Sequence, residues 1–371
     1  LQCANDNMEE PGQPGSPTWR PNKMHIQELN NLLYSNQYKA IEELDLEQTK
    51  QLVWWMRYEI RENVCQVPHA LQFILNSLKW DNHIEVCKMQ AILQIWPELK
   101  ADQALAMLDF TFPDKYIRKK ACDSLERMPD DEFWQYLLQL VQALKFENYL
   151  NCDLVKLLLA RALTNQHIGH KLFWLLKSEL HDPSQTVQYG LIIEVYLKCN
   201  PEHMYVLEKQ QTIIQKLKSI TEIQKKAAND KNMKKYKSNK DDSPLKKVMK
   251  TQSYIEAFCK IYNPISLLYR LDKILEDSCR IMDSKKKPFW LEWTNEDEKG
   301  QNIFLLFKCG DDLRQDMLTL QLLEVMDNLW QAADLDLRLS PYGCIATGHE
   351  EGIIEVVQKA TTLARIQARK G

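Results

Sequence analysis

The residues whose types and spacing most clearly suggest a chemical role are a lysine and an aspartate eight positions apart. Lys308 ends the apolar run IFLLFK, and Asp316 lies in the amphipathic run that follows. A lysine on a strand, oriented by a carboxylate on a packed helix, can bind phosphate groups and neutralise their charge, which is what phosphoryl transfer chiefly requires. On spacing alone, the alternative is an ordinary surface ion pair, which contributes little to stability.

The residues between this lysine and aspartate predict a sharp turn followed by a helix. Gly310 permits a tight reversal after the strand. Asp311 or Asp312 is placed near the N-cap of the helix and complements the positive end of its dipole. Asp316 then falls about one turn inside the helix, from where its side chain can point back toward Lys308.

The surrounding region, from about residue 276 onward, predicts an antiparallel sheet that carries one helix. Strands are predicted in CRIMDSKKKPFWLEW, which has a lysine-rich turn, and in NIFLLFK, LRLSPYGCIATG and GIIEVV. The run LRQDMLTLQLLEVMDNLWQ predicts a long helix, and TTLARIQ predicts the start of another. This is the layout of the smaller lobe of a kinase.

Residues 23–205 predict helices almost throughout, joined by short breaks such as Trp96-Pro97. Stacked helix pairs of this kind form α-solenoids, as in HEAT and armadillo proteins. Residues 1–22 are polar and contain four prolines, which predicts a linker or the end of a preceding domain. The predicted fold is therefore mainly α: a helical domain over 23–205, followed by an α+β kinase small lobe over 206–371.

Composition excludes several classes of protein. The chain has 371 residues and a formal net charge of −3, which gives no electrostatic footprint for nucleic acid. No apolar run is long enough to span a bilayer. The ten cysteines include no C-x-x-C pair and are expected to be reduced thiols. His167 and His170 have no acidic partner in a zinc pattern, so we predict core or surface histidines and no metal site.

A lysine-rich stretch between Lys216 and Lys250 leaves two interpretations open. It can form a basic face that meets anionic lipid. The interpretation that we favour is a solvated insertion loop around KKAANDKNMKKYKSNKDDSP.

The run FKCGDDLRQDMLTLQ resembles the core motif of the phosphoinositide 3-kinase family at nearly every position. MDSKKKPFW (282–290) resembles the family's phosphate-binding loop, LDLRLSPYGCIATG (335–348) its next block and GIIEVV (352–357) its hinge. Upstream, QYLLQLVQALKFENYL and RALTNQHIGHKLFWLLKSELH resemble its helical domain. The resemblance covers roughly residues 40–371, and PYGCIATG is more similar to class I catalytic subunits than to classes II and III.

The resemblance implies roles for individual residues. Lys308 would contact the phosphates of ATP, and Asp316 would pair with it or orient it, which makes these two the catalytic candidates. A further set of residues would line the nucleotide pocket: Met282, Ser284, Lys286, Trp290, Leu306, Tyr342, Ile354, Glu355, Val356 and Val357.

Within that set, Ser284 and Lys286 would lie in the loop over the phosphates. Glu355 would accept from the adenine amino group through its backbone carbonyl, and Val357 would donate its backbone N–H. The aromatic and aliphatic members would form the walls of the pocket. Without the resemblance, we would interpret Trp290 and Tyr342 as core aromatic residues and Lys286 as a solvated lysine of the loop.

By the same resemblance, the protein is expected to be a lipid kinase that transfers the ATP γ-phosphate to the 3-hydroxyl of phosphatidylinositol 4,5-bisphosphate. An acidic segment with Glu42, Glu43, Asp45 and Glu47 is expected to meet an SH2 domain of a regulatory subunit. The alternative is that these acids simply favour the start of a helix. The expected location is the cytoplasm, with recruitment to the inner face of the plasma membrane.

The chain contains neither Asp-Phe-Gly nor Asp-Arg-His, and it does not begin with methionine. We therefore expect a fragment that lacks the larger lobe, with Mg²⁺ ligands beyond residue 371 and no phosphate transfer on its own. Two alternatives are a non-catalytic helical scaffold with a degenerate lobe and a protein kinase of the same superfamily. The intact Lys308 and Asp316 argue against the first, and Met317 argues against the second.

Overall fold

The computed structural model describes residues 70–76, 78–229 and 244–370. The linker predicted at 1–22 and the acidic segment with Glu42, Glu43, Asp45 and Glu47 lie outside these residues. The described chain divides into two compact units. The first comprises residues up to Met128 together with Phe146–Tyr149, and the second comprises Pro129–Lys145 together with the residues from Leu150 onward.

The first unit consists of short helices, and a buried arginine, Arg118, binds the loop between two of them. Arg118 donates from Nη1 to the backbone carbonyls of Leu108, Asp109 and Phe112 and forms a 2.8 Å ion pair with Glu147. Because a buried guanidinium must have all its donors satisfied, this cluster fixes the loop before its own helix. The described helices of this unit are α1 Ala70–Asn76, α2 His83–Ile95, α3 Ala101–Met107 and α4 Lys115–Glu126.

The second unit begins with a layer of helices around a nearly fully buried central helix, α7. Asn165 separates α7 from the helix before it and caps α7 by accepting from the N–H groups of His167 and Ile168. α7 packs against α5, α6 and α8. The helices of this layer are α5 Asp130–Ala143, α6 Asp153–Thr164, α7 Gln166–Glu179, α8 Thr186–Cys199 and α9 Pro201–Asn229.

α9 connects the helical layer to the sheet. It is one continuous helix of 29 residues, and it covers the predicted domain boundary at 205/206. Its apolar residue Leu217 lines a small cavity together with Leu291, Leu305 and Ile353 of the sheet. The lysine-rich stretch is helical up to Asn229, and residues 230–243 lie outside the described chain. Two short helices follow, α10 Pro244–Met249 and α11 Gln252–Ala257.

The described sheet is antiparallel, with the strand order β1-β2-β4-β5-β7-β6 and β3 paired to β4. Its core face is buried because alternate residues such as Phe289, Leu305 and Phe307 are only 1% exposed. The strands are β1 Ile261–Tyr262, β2 Arg270–Ile274, β3 Arg280–Ile281, β4 Phe289–Asn295, β5 Ile303–Cys309, β6 Cys344–Gly348 and β7 Glu351–Glu355.

One long helix, α12 (Arg314–Ala332), packs beside β6, and α13 (Leu363–Lys370) lies near the end of the described chain. A helical domain followed by an antiparallel sheet with one long helix confirms the predicted fold class. None of the described helices combines the length and the hydropathy that crossing a bilayer requires.

Two sequence predictions about strands need correction. The strand predicted over 337–348 is present only from Cys344 to Gly348. Pro341 lacks a backbone N–H, and Arg338 has φ +53°, so neither fits a regular strand ladder. The run NIFLLFK was predicted as a buried strand, but only one face of β5 is buried.

A buried hydrogen-bonded chain joins the helical layer to the sheet region. Tyr196 Oη lies 2.6 Å from His203 Nδ1, His203 Nε2 lies 3.3 Å from His170 Nδ1, and His170 Nε2 lies 2.8 Å from the Pro264 carbonyl. Because that carbonyl can only accept, His170 must donate from Nε2. Burial lowers the pKa of both histidines to about 4, so near pH 7 each ring carries one proton. His203 then donates to His170, and Tyr196 donates to His203. Both imidazoles are therefore neutral in this arrangement.

Because both buried histidines are neutral, we predict that the folded protein loses stability in acid. Burial lowers the pKa of His170 and of His203 to about 4, from about 6.5 in the unfolded chain. The unfolded state therefore binds more protons, and the free energy of unfolding falls as the pH drops from 6.5 toward 4. The expected slope is about 1.4 kcal/mol per pH unit for each histidine.

Urea unfolding measured at several pH values checks this prediction. The double variant His170→Asn/His203→Gln should show a clearly flatter slope between pH 6.5 and 4.5. Equal slopes for the double variant and the wild type would contradict the assigned neutral pair.

Candidate functional site

One face of the sheet carries a row of four paired residues, of which Trp290, Leu306 and Ile354 were predicted to line the nucleotide pocket. Trp290 pairs with Leu306, Leu306 with Ile354, and Ile354 with Cys344, across β4, β5, β7 and β6. These four residues are half-buried, in contrast to the fully buried residues that alternate with them. Directly paired residues share a face of the sheet. Leu306, whose direction strand alternation left open, therefore lies on the same face as Trp290 and Ile354.

Lys308 lies on that same face, two residues after Leu306. It pairs with Gly352 of β7, where an added Cβ would come within 2.6 Å of Leu313 Cδ1 and 2.3 Å of the Ile345 carbonyl. A glycine is thus required for Leu313 to pack against the sheet just before α12 begins. The close packing fixes the start of the helix next to the end of β5.

Asp311 holds two lysines on one carboxylate. Lys308 Nζ lies 2.5 Å from Asp311 Oδ2, and Lys286 Nζ lies 3.2 Å from Asp311 Oδ1. Lys286 also donates to the Gly310 carbonyl. The hydrogen bond from Lys308, followed by that from Lys286, holds the pKa of the Asp311 carboxyl below its usual range. Two ammonium groups therefore converge on one point at the edge of the sheet face.

The turn that presents Asp311 depends on Gly310. Its φ is +99°, in the left-handed region that glycine adopts without strain, and its N–H donates to the Glu350 carbonyl. Asp312 then accepts from the backbone N–H of Arg314, the first residue of α12. The predicted turn and helix start are present: Leu313 is the N-cap residue, and Asp312 directly before it accepts from the first helical N–H.

Asp316 lies in the first turn of α12 and is half-buried. Among the described residues, the ion-pair partner of Lys308 is Asp311 rather than Asp316. Asp316 and Lys308 nevertheless act on the same thiol. Burial, together with the Asp316 carboxylate, raises the pKa of Cys344 to about 12, and Lys308 acts in the opposite direction. Asp316 therefore lies close enough to share the electrostatic environment of Lys308, and its catalytic role stays a prediction.

The predicted loop over the phosphates connects β3 and β4. Met282 donates its N–H to the Pro288 carbonyl, and Ser284 donates its N–H to the Met282 carbonyl. Lys287 closes the turn with φ +48° and donates to the Ser284 carbonyl. This folded turn leaves Ser284 exposed and carries Lys286 to Asp311.

The predicted hinge residues lie at the end of β7, where Glu355 is the last residue of the strand and Val356 and Val357 come after it. Glu355 accepts from the backbone N–H of Gly343 through its side chain, and Val356 donates its N–H to the Phe304 carbonyl. Val357 is exposed. Tyr342 is 37% exposed. Together with Glu355 it lines a cavity of about 650 Å³, whose other walls come mainly from the helical layer, residues 264–269 and α12 rather than from the face with Trp290 and Leu306. The hinge is thus fixed by its neighbours and still accessible from solvent.

The arrangement has a definite chemical capacity. A half-buried apolar face, with Trp290 and Ile354, can hold a flat ring, and the two converging lysines can bind a polyphosphate at the end of that face. Neutralisation of phosphate charge by fixed cations is the main contribution that a protein makes to phosphoryl transfer.

Two family models match the chain. The accessory domain (PIK domain) of the phosphoinositide 3-kinase family matches residues 20–209, which is more than half of the chain. The chain belongs to the phosphoinositide 3-kinase family. The phosphatidylinositol 3- and 4-kinase model matches residues 302–371, which include Lys308, Asp311 and Asp316.

Two relatives from Dictyostelium discoideum show the extent of the similarity. The chain is 36% identical to phosphatidylinositol 3-kinase 1 over 339 residues, which is 91% of this chain and 21% of that protein. It is 38% identical to phosphatidylinositol 3-kinase 2 over 329 residues, 87% of this chain and 17% of that protein. The aligned part of the chain thus spans about a fifth of the length of these members of the family.

Two features of this family member were not identified from the sequence. Asp311 was assigned to the helix start, whereas it is the carboxylate that joins Lys286 and Lys308. Arg314 forms a 2.9 Å ion pair with Glu179 of α7. The spacing of Lys308 and Asp311 offered a local signal for the first feature, but no local signal connects residues 135 positions apart.

The Asp311 geometry gives a direct prediction. In Lys308→Met, the pKa of the Asp311 carboxyl should rise toward its usual value because its main hydrogen-bond donor is removed. Lys286→Met should produce a smaller rise. The measurement is pH titration of the carboxyl carbon by NMR on the aspartate-labelled chain. Lys273→Met, at an exposed lysine of β2, is the matched control, and an unchanged Asp311 titration in Lys308→Met would refute the pairing.

Proposed function

We propose that this protein is a phosphatidylinositol 4,5-bisphosphate 3-kinase, which transfers the γ-phosphate of ATP to the 3-hydroxyl of the inositol ring. The described residues supply the helical domain and the nucleotide-binding part of the site. The observation that carries the proposal is the convergence of Lys308 and Lys286 on Asp311, at the end of the sheet face formed by Trp290 and its partners.

In this proposal, the adenine ring packs against the half-buried sheet face and reaches the backbone of 355–357. The phosphates replace the Asp311 carboxylate as the main partner of the two lysines. ATP carries more negative charge than one carboxylate, so the exchange is electrostatically favourable. Before ATP binds, Asp311 holds the two ammonium groups close together, and Asp316 would help to orient Lys308 once ATP is bound. The lysines themselves therefore need little reorganisation.

The proposed reaction also requires Mg²⁺. Within the described ranges, no three His, Cys, Asp or Glu side chains are grouped to hold a metal ion. We therefore assign no metal ligands among these residues.

Partners and location are proposed on the resemblance alone. An SH2-containing regulatory subunit would meet the acidic segment with Glu42, Glu43, Asp45 and Glu47, as carboxylates can occupy an arginine-rich phosphate site. The substrate lipid requires recruitment from the cytoplasm to the inner face of the plasma membrane. The two relatives are named phosphatidylinositol 3-kinases, which supports the lipid class.

Calorimetric titration of ATP into the 371-residue chain tests the nucleotide site. The wild type should bind ATP, and Lys308→Met should raise the Kd about tenfold or more, since a charge-assisted hydrogen bond contributes roughly 1.5–3 kcal/mol. Lys273→Met should bind like the wild type. Equal affinity of Lys308→Met and the wild type would exclude this site, and no binding by the wild type would favour the helical scaffold.

The transfer reaction needs a separate assay. The 371 residues contain no Asp-Phe-Gly, so we expect them to bind ATP without transferring phosphate. The full-length protein, incubated with labelled ATP and vesicles that contain phosphatidylinositol 4,5-bisphosphate, should form the 3-phosphorylated lipid. Phosphorylation at another hydroxyl, or of protein only, would contradict the proposed reaction.

A further inference from the structure

A buried carboxylate at the end of α7 connects the helical layer to α12. The Glu179 side chain is 4% exposed, and its oxygens lie 3.0 Å from Lys145 Nζ and 2.9 Å from Arg314 Nη1. Gln142 donates a third hydrogen bond. Burial alone would raise the pKa of Glu179, but the bonds from Lys145, Gln142 and Arg314 outweigh it and lower the pKa. The residue is therefore a fixed anion in the helical layer.

Arg314 carries this interaction to the nucleotide site. Its Nε and Nη2 donate to the two oxygens of Asp312 at 2.9 and 2.8 Å, while Nη1 donates to Glu179. The planar guanidinium can hold both carboxylates at once, which an ammonium group cannot do with the same geometry. Asp312 is the next residue in the chain after Asp311, which orients Lys308 and Lys286.

The same face of α12 is attached to the helical layer further along. Gln321 donates to the Gln139 side chain at 2.7 Å and also to the Gln135 carbonyl of α5. Glu324 lies within electrostatic range of Lys171 on α7. Arg314, Gln321 and Glu324 have helical spacing and share one face. These later contacts hold the body of α12, so the contact between Glu179 and Arg314 has the specific task of fixing its first turn.

We propose that Glu179 is a positioning residue for the nucleotide site. Through Arg314 it fixes the first turn of α12 and the turn at Asp311 and Asp312, and so sets the orientation of Lys308 and Lys286. The helical domain thereby has a direct mechanical connection to the phosphate-binding lysines. The inference rests on the proposed nucleotide site for its effect on ATP, although the connection itself can be tested without nucleotide.

Glu179→Gln tests the connection because it removes the charge with almost no change of volume. Amide hydrogen exchange in the first hydrogen-bonded residues of α12, Met317 to Thr319, should become about tenfold faster, because the turn is no longer held. Arg314→Gln should give a similar increase. In the double variant the increase should be no larger than in Arg314→Gln alone, because both changes break the same interaction.

Lys145→Met is the matched control. It removes an ion pair of similar length, 3.0 Å against 2.9 Å, from the same carboxylate. Lys145 lies just after α5 and makes no contact with α12 among the described hydrogen bonds and ion pairs. Exchange at Met317 to Thr319 should stay at the wild-type rate. Faster exchange in Lys145→Met equal to that in Glu179→Gln would show a general loss of stability and would overturn the proposal, as would wild-type exchange in Glu179→Gln.

ATP affinity separates this proposal from the proposed function. Glu179→Gln should raise the Kd for ATP about threefold to tenfold while Lys145→Met leaves it unchanged. In the full-length protein the KM for ATP should rise more than kcat falls. If the wild-type chain binds no ATP, the proposed function fails, and the exchange experiment still decides the connection. Wild-type ATP affinity in Glu179→Gln would show that the connection does not reach the lysines and would overturn the proposal.

Discussion

The site depends on a single strand pairing, that of β5 with β7. The register places Leu306 opposite Ile354 and Lys308 opposite Gly352, so the apolar face, the lysine and the hinge all follow from one set of backbone hydrogen bonds. A slip by one residue would turn Lys308 into the core and expose Phe307, which is now 1% exposed. Burial of the opposite face thus holds the register and, with it, the position of the lysine.

A series of ion pairs begins at the turn that follows β5. Gly310 allows the turn, the turn presents Asp311 to two lysines, and Asp312 binds the arginine that reaches the helical layer. Each carboxylate in this series is paired with a cation, which keeps the cluster stable without nucleotide. Pre-positioned cations avoid the cost of reorganisation when a polyphosphate arrives, which is the main route by which such sites promote phosphoryl transfer.

Much of this architecture was predictable from sequence because the signals are local. Alternation marked β4, a short apolar run marked β5, and the glycine–aspartate turn marked the start of α12. The residues near Pro341 were wrongly predicted as strand, although proline has no N–H to donate to a strand ladder. The spacing of Lys308 and Asp311 was a local signal for the partner of Lys308, but the sequence reasoning assigned Asp311 to the helix start. The Glu179–Arg314 pair had no local signal, because it depends on how distant helices pack.

The most direct test of the account is a structure of the chain with a non-hydrolysable ATP analogue bound. The account predicts phosphate oxygens within hydrogen-bond distance of the Nζ atoms of both Lys308 and Lys286. It also predicts the adenine ring against Trp290, Leu306 and Ile354, with the Asp311 carboxylate displaced from at least one lysine. A nucleotide bound on another surface, or with its phosphates away from both lysines, would contradict the account.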